Sequence, residues 1–502
     1  MIVGAFASNL NNAASNSNWN IGASTSYKNK IINNFRVPCR SAKIQSSKVR
    51  TSNIREDGRI FLLEAQLNAR KTHKKGEHEL PKSFNHLFEK TISLENLESA
   101  LVNSTKDKSD TKGAKKIAQD LNKNKDEVVK RQQQRLLNNE FKAREHYACV
   151  VQDISSGKLR VVLKPAIEDE QIIHWAVVQT MQPIFMRGMY EFSCGSIPGR
   201  GPDYGRRYIE KFIKNNKADI KYALKIDIKK FYPSINTEIL KEKLRRIVHD
   251  ERMMNLLSEI IDSNVAVFPD GHKERLGVPI GYYTSQWFAN FYLQDLDHYA
   301  KEVLKFKCYV RYVDDIVAFG RNKKELRKGF EELRKELEKL GLKVKENYQI
   351  FRFDYIDKRD GKRKGRFLDF MGFRFYRDRT TLRRARMLKA TRKARKISKK
   401  KKITWYDSCQ MMSLLGPFRH TQTHGVFEKH IKPYVNIKNC RQRIRTRQLK
   451  INEKEKNQCS NLDTQKVLKN QKDSTKPVPQ KEFTSESMLQ LSLFPIPTEP
   501  KK

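Results

Sequence analysis

The chain has 502 residues, and its 102 Lys+Arg against 57 Asp+Glu give a formal net charge of +45. With 38% hydrophobic and 10% aromatic residues it can bury a sizeable core, which excludes wholesale disorder, and at about 150 residues per domain the length predicts several domains. No apolar run reaches the roughly 20 residues of a spanning helix, so a membrane protein is excluded. The positive surplus calls for a polyanion, nucleic acid before an acidic membrane surface.

Residues 1–35 are rich in Asn and Ser, show neither helical nor strand periodicity, and lack the charged and apolar regions of a secretory signal. With the polar, basic stretch that follows, residues 1–80 read as a low-complexity, disordered extension. Residues 81–144 are predicted as a helical region broken by a linker near 104–113, because Leu87, Phe88, Ile92, Leu94, Leu97 and Leu101 recur at near-helical spacing. From 145 to 376 the texture is that of a packed domain. Short β-rich runs (YACVVQDI, LRVVLKP, YALKIDI, KCYVRYVDDIVAF, FLDFMGFRFY) alternate with helical stretches at 171–190, 237–261, 284–305 and 323–340. Residues 377–440 are basic and helical, with twelve Lys/Arg and no acid in 383–402. Residues 441–502 read as a disordered tail. Seven scattered cysteines without a CxxC fit a reducing, cytoplasmic setting and argue against a disulfide scaffold or structural zinc.

The most informative segment is CYVRYVDDIVAFG (308–320). Two β-rich arms flank Asp314 and Asp315 where a tight turn would fall, and such a pair either solvates the turn or meets a cation. The arms are apolar enough to be buried, and two anions between buried strands are costly without a cation. In YALKIDIKKFYPSIN (222–236) an apolar strand ends on Asp227, and pairing of the two strands would bring three carboxylates together. That arrangement suits two Mg²⁺ and phosphoryl transfer.

These segments, with their order and spacing, resemble the reverse transcriptases. YVDD (312–315) is similar to their motif C, Asp227 with Phe231 and Tyr232 to motif A, and GVPIGYYTSQWFAN (277–290) to motif B. FMGF (370–373) is similar to the motif E turn, and FSCGSIPGRG (192–201) to a fingers segment. The resemblance implies an α+β right-hand polymerase with fingers, an antiparallel palm sheet and a helical thumb. It implies RNA-directed DNA synthesis with two Mg²⁺, for which Mn²⁺ can substitute.

By the resemblance Asp227, Asp314 and Asp315 are catalytic and hold the metals with the Ile228 carbonyl. Tyr232 lies beneath the sugar and blocks a 2′-hydroxyl. Lys158 and Arg160 meet the triphosphate and templating base, and Phe231, Ile280, Gly281 and Gln286 complete the nucleotide pocket. Phe370, Met371, Gly372 and Phe373, with Arg392, Lys393, Arg395 and Lys396, are implied to hold primer and template. Glu170 stands where relatives more often carry Arg. Lys343 and Lys345 both compete for the motif D lysine.

Motif B has the form IGxxxSQ (280–286) in place of QGxxxSP, which is similar to reverse transcriptases of diversity-generating retroelements in bacteria and phages. This implies error-prone copying at template adenines, a small basic accessory protein as partner, and the Asn-rich residues 1–25 as a template repeat read in frame or the product of a start codon placed too far upstream. Ile280 can neither donate nor accept a hydrogen bond where the usual Gln stands. A group II intron-type maturase, a defence-associated reverse transcriptase and a catalytically silent RNA-binding protein remain as alternatives.

Overall fold

The computed structural model describes residues 84–106, 112–152 and 157–453. The extension expected over 1–80 and the tail from 454 onward lie outside the described residues. By contacts the chain forms two compact units, Met1–Arg383 and Arg384–Lys502, so the division falls a few residues beyond the boundary expected at 376. No helix among the described residues is long and apolar enough to cross a membrane.

The first unit opens with four helices, α1 (Leu87–Ile92), α2 (Leu94–Thr105), α3 (Lys112–Lys123) and α4 (Lys125–Leu137). Ser93 starts α2 by accepting the amide of Asn96. Leu87, Phe88, Leu97 and Leu101 are buried as their spacing requires, whereas Leu94 points outward at 45% exposure. Strands β1 (Glu145–Tyr147), β2 (Cys149–Gln152) and β3 (Leu159–Val162) follow, β2 and β3 forming an antiparallel hairpin. A π turn over Ile167–Gln171 leads into α5 (Ile172–Arg187), which is apolar on most sides and runs through the core. Next comes α6 (Pro202–Asn215), begun by proline in the first turn, where no backbone N–H is needed.

Then come β4 (Tyr222–Asp227), the single turn α7 (Phe231–Ser234), α8 (Thr237–Arg245) and α9 (Glu251–Asp262). The single helix expected over 237–261 is therefore two. The chain turns at 246–250, and the Asp250 carboxylate caps α9 afresh by accepting the Met253 amide. Strands β5 (Val265–Val267) and β6 (Lys273–Arg275) precede α10 (Ser285–Tyr292), α11 (Gln294–His298), β7 (Cys308–Tyr312), β8 (Asp315–Gly320), α12 (Lys323–Lys339) and β9 (Gln349–Arg352).

The central sheet is antiparallel throughout, in the order β7-β8-β4-β9. Ala223, Leu224, Ile226, Ile316, Val317 and Ala318 are buried, so both faces of the inner strands are covered. Edge strand β9 was not among the expected strands, because its residues are half-buried with no alternation. Two short hairpin elements, β10 (Tyr355–Ile356) and β11 (Arg363–Lys364), lead to a three-stranded meander, β12 (Leu368–Phe370), β13 (Phe373–Phe375) and β14 (Thr380–Leu382).

The second unit holds α13 (Arg384–Ser398), α14 (Trp405–Leu415) and α15 (His424–His430), followed by a helix over 437–453. Ala390, Ala394 and Ile397 form the buried stripe of α13. The last helix corrects the expectation of disorder from 441. Asn436 caps it by accepting the Asn439 amide, and Cys440 anchors its first turn in the interior. Composition alone hid this anchor.

Candidate active site

The antiparallel register sets Asp227, the last residue of β4, opposite Asp315, the first of β8. Asp314 occupies the turn between β7 and β8, and its carbonyl accepts the amide of Ile228 at 3.2 Å. The two strands therefore bring the three expected carboxylates to one end of the sheet. Burial pushes the Asp314 carboxyl up to about 6, with Asp315 and Asp227 adding like-charge repulsion. Burial also raises Asp315, against the opposing pull of Lys225.

One cation already meets the cluster: the Lys345 ammonium bonds an Asp227 carboxylate oxygen, and the Lys345 amide donates to the Asp227 carbonyl at 2.9 Å. Of the two candidate lysines, Lys345 is the one at the site, while the Lys343 carbonyl only receives the amide of Lys229. No group of three or more His, Cys, Asp or Glu forms a ready cage among the described residues. Mg²⁺ needs less, because it keeps several waters and takes one or two carboxylates together with substrate phosphates. A buried acid raised by two neighbouring acids fits such a cation, which would relieve the repulsion.

The turn is held by a buried scaffold. Arg311, in β7, is fully buried and grips Asp297 of α11 at 2.7 Å. Its guanidinium also donates to the Asn290 side-chain oxygen and to the Val313 carbonyl, both at 3.1 Å. Val313 has φ 57, a conformation that a β-branched residue adopts only when its surroundings impose it. Gly195 presses on it. A Cβ at Gly195 would lie 2.3 Å from Val313 Cγ2 and 2.7 Å from the Val313 amide nitrogen. The segment 192–201 is thus packed against the turn that carries Asp314, tied by the Cys194 amide to the Arg311 carbonyl at 2.8 Å.

Motif B locks onto motif A through backbone. Val278 and Gly277 donate to the carbonyls of Tyr232 and Pro233 at 2.9 and 3.1 Å. A Cβ at Gly277 would come within 2.5 Å of the Ile235 carbonyl oxygen, so glycine is required there. Tyr232 lies within the electrostatic reach of both Asp314 and Arg160, and its phenol is raised chiefly by burial. Phe231 is buried beside it.

Ile280 packs against Val151 and Val162 of the β2–β3 hairpin, and its carbonyl accepts the Leu163 amide at 2.9 Å. Gly281, at φ 121, would carry a Cβ only 2.0 Å from the Leu163 carbonyl oxygen. Ile280 is thus an apolar clasp between motif B and the hairpin that carries Lys158 and Arg160, both exposed. Gln286 is half-buried on α10, where its carbonyl accepts from Asn290.

Phe370, Met371, Gly372 and Phe373 are all buried in the β12–β13 turn, where Met371 packs over Gly205. Lys393 is spent internally on the buried Asp407 carboxylate at 2.9 Å, whereas Arg392, Arg395 and Lys396 remain exposed. Glu170 is turned inward. It is buried, pairs with His146 at 2.8 Å and accepts the Ala166 amide. Arg311 and Asp297 escaped the sequence reading, although an arginine inside the apolar run CYVRY signals a buried acidic partner.

This antiparallel sheet with carboxylates on adjacent strands has the arrangement that the resemblance implies for a polymerase palm. Residues 151–371 match the family model "Reverse transcriptase (RNA-dependent DNA polymerase)", a stretch that includes all three carboxylates. This part of the chain is therefore similar to the reverse transcriptase domain. It is 26% identical over 152 residues to Protein YkfC of Escherichia coli (strain K12), covering 30% of this chain and 39% of that protein. The chain thus spans well under half the length of this curated relative. Among solved structures it is similar to apo telomerase from Candida tropicalis truncated from its C-terminal domain, at 15% identity and TM-score 0.35, covering 48% of this chain and 55% of that one. It is also similar to telomerase from Candida albicans with a TWJ fragment of telomeric RNA, at 14% identity and TM-score 0.37, covering 58% and 55%.

Proposed function

We propose that this protein makes DNA on an RNA template by adding deoxynucleotides to a primer 3′-hydroxyl at Asp227, Asp314 and Asp315. The observation that carries the reading is the pairing of Asp227 with Asp315 across β4 and β8, with the buried, raised Asp314 in the turn between them. Two Mg²⁺ held by these carboxylates and the Ile228 carbonyl would activate the 3′-hydroxyl and stabilise the leaving pyrophosphate. Lys345 orients Asp227, and the buried Arg311 fixes the turn that presents Asp314 and Asp315. Tyr232 provides the wall that favours deoxynucleotides, with Lys158 and Arg160 facing the triphosphate.

The finer reading is a diversity-generating retroelement enzyme acting in the cytoplasm of a bacterium or phage host, with RNA template, DNA or RNA primer and a small basic accessory protein. The IGxxxSQ form of motif B supports it. Ile280 brings apolar packing and no side-chain hydrogen bond to its position, which would loosen the check on pairing by on the order of 1 kcal/mol. The test is primer extension with Mg²⁺ on an adenine-containing RNA template, the cDNA being sequenced, beside an Asp314→Ala/Asp315→Ala control. Extension lost in the control and errors gathered opposite adenine are expected, and Ile280→Gln should lower those errors. Faithful extension would favour the intron or defence types, and no extension the RNA-binding alternative.

A further inference from the structure

The helix over 437–453 carries six cations, Lys438, Arg441, Arg443, Arg445, Arg447 and Lys450, and a single acid, Glu453. From 441 onward all its residues are exposed except Ile444, which is half-buried. Its tertiary anchorage is concentrated in the first turn, at Cys440 and the Asn436 cap. Of the described carboxylates of this unit, Asp407 pairs with Lys393 and Lys400 and Glu428 with Lys432, and no carboxylate pairs with the six cations among the described residues. Arg447 stacks on the exposed Trp405 ring at 4.6 Å, which leaves its charge uncompensated.

Beyond its anchored first turn the largely exposed stretch 441–453 is of marginal length for a helix on its own, and like charges four residues apart, as at Arg441/Arg445 and Arg443/Arg447, destabilise it further. A polyanion reverses both penalties. The distribution of the charges narrows the choice of polyanion. At about 100° per residue, Lys438, Arg441 and Arg445 fall on one side of the helix, and Arg443, Arg447 and Lys450 on the opposite side. A flat anionic surface meets one such row and leaves the other in solvent. A groove walled by two phosphate backbones meets both.

We propose that this helix is a second nucleic-acid site, which lies in the major groove of a B-form DNA duplex with one cation row facing each backbone. The B-DNA major groove is about 12 Å wide and admits an α-helix of about 10–12 Å diameter, whereas the deep, narrow major groove of regular A-form RNA does not. The site lies in the second unit and needs nothing of the carboxylate chemistry, so it stands or falls independently of the polymerase reading.

The test uses the full chain and two triple variants, Lys438→Gln/Arg441→Gln/Arg445→Gln and Arg443→Gln/Arg447→Gln/Lys450→Gln. Gln is nearly as good a helix former as Lys and Arg, and circular dichroism with a thermal melt checks that each variant is folded. Binding is read by fluorescence anisotropy over a salt series. The probes are a labelled 20-base-pair DNA duplex, an RNA duplex of the same sequence and one DNA strand. Each triple is expected to weaken DNA-duplex binding and to reduce the slope of log K against log salt by about 3, with a smaller loss on the other two probes. If one triple binds like the parent protein, the contact is one-sided and the groove proposal fails. It fails equally if both triples lose most on the RNA duplex or the single strand, or lose nothing on any probe.

Discussion

Arg311 and Asp297 form an ion pair at 2.7 Å in which neither side chain reaches solvent, and the same guanidinium holds the carbonyl of Val313 immediately before Asp314 and Asp315. Tyr309 adds a third contact to this core, its hydroxyl donating to Asp297 at 2.8 Å. The pair therefore couples the interior of the domain to the placement of Asp314.

Removing one partner leaves a buried charge alone. Arg311→Met and Asp297→Asn are each expected to destabilise the protein by about 3–5 kcal/mol. The double variant should cost less than the two singles together, because no isolated charge remains. Denaturation midpoints of the four proteins check this. Additive losses would mean that the two side chains do not act as a unit.

Gly195 is required by contact with Val313 and by no backbone conformation of its own. Gly195→Ala must displace the turn by some tenths of an ångström or more, since its Cβ would fall 2.3 Å from Val313 Cγ2. The expected result is a loss of primer extension on the order of 100-fold with the fold retained. Near-normal extension by a folded Gly195→Ala protein would show that the turn tolerates the shift.

Much of this site was legible in the sequence, for identifiable reasons. Asp227, Asp314 and Asp315 stand at the ends of apolar strands, where an acid has no structural reason to be, so pattern and chemistry agreed. The antiparallel sheet is what the resemblance implies. What stayed hidden depends on distant partners. Lys345 and Lys343 have the same local pattern, and only the meeting of Lys345 with Asp227 separates them. Lys393 looked like its exposed neighbours until Asp407, from the next helix, claimed it. FMGF has the composition of a grip, but four buried residues make it a packed turn. The helix beyond 440 is held at one end by Cys440 and is otherwise as polar as a disordered tail.

The α13 lysines and arginines should divide by task. Asp407 caps α14 through Thr404 and receives Lys393 and Lys400, which hold its carboxyl well below the usual range. Asp407→Asn is expected to lower the melting temperature, with a loss of about 2–3 kcal/mol for hydrogen bonds to a charged group. Arg392→Gln/Lys396→Gln should leave the melt unchanged and reduce the salt slope of nucleic-acid binding by about 2. Melts and salt titrations on both variants check the division. A stability loss in the Arg392/Lys396 variant would place these residues among the packing groups.

His174 gives the fold a pH dependence of definite sign. It is buried, bonds Thr284 Oγ1 at 2.9 Å and lies against the Tyr282 ring. Glu170 and His146 are the charged groups that act on it. Burial lowers it to about 4 from an ordinary 6.5, outweighing the opposite pull of Glu170. Below 6.5 the unfolded chain takes up a proton that the folded one refuses, so the histidine's contribution is complete above pH 6.5 and is lost as pH falls towards 4. At about 1.4 kcal/mol per pH unit the loss is on the order of 3 kcal/mol. The raised Asp314 titrates in the same range with the opposite sign, so the useful quantity is the difference between parent and His174→Gln. Glutamine has no titratable group and can still bond Thr284. The gap between the two melting temperatures should change steadily from pH 7 to pH 4, with the variant gaining relative to the parent as pH falls. A constant gap would mean that His174 takes up its proton at the same pH in the folded and the unfolded chain.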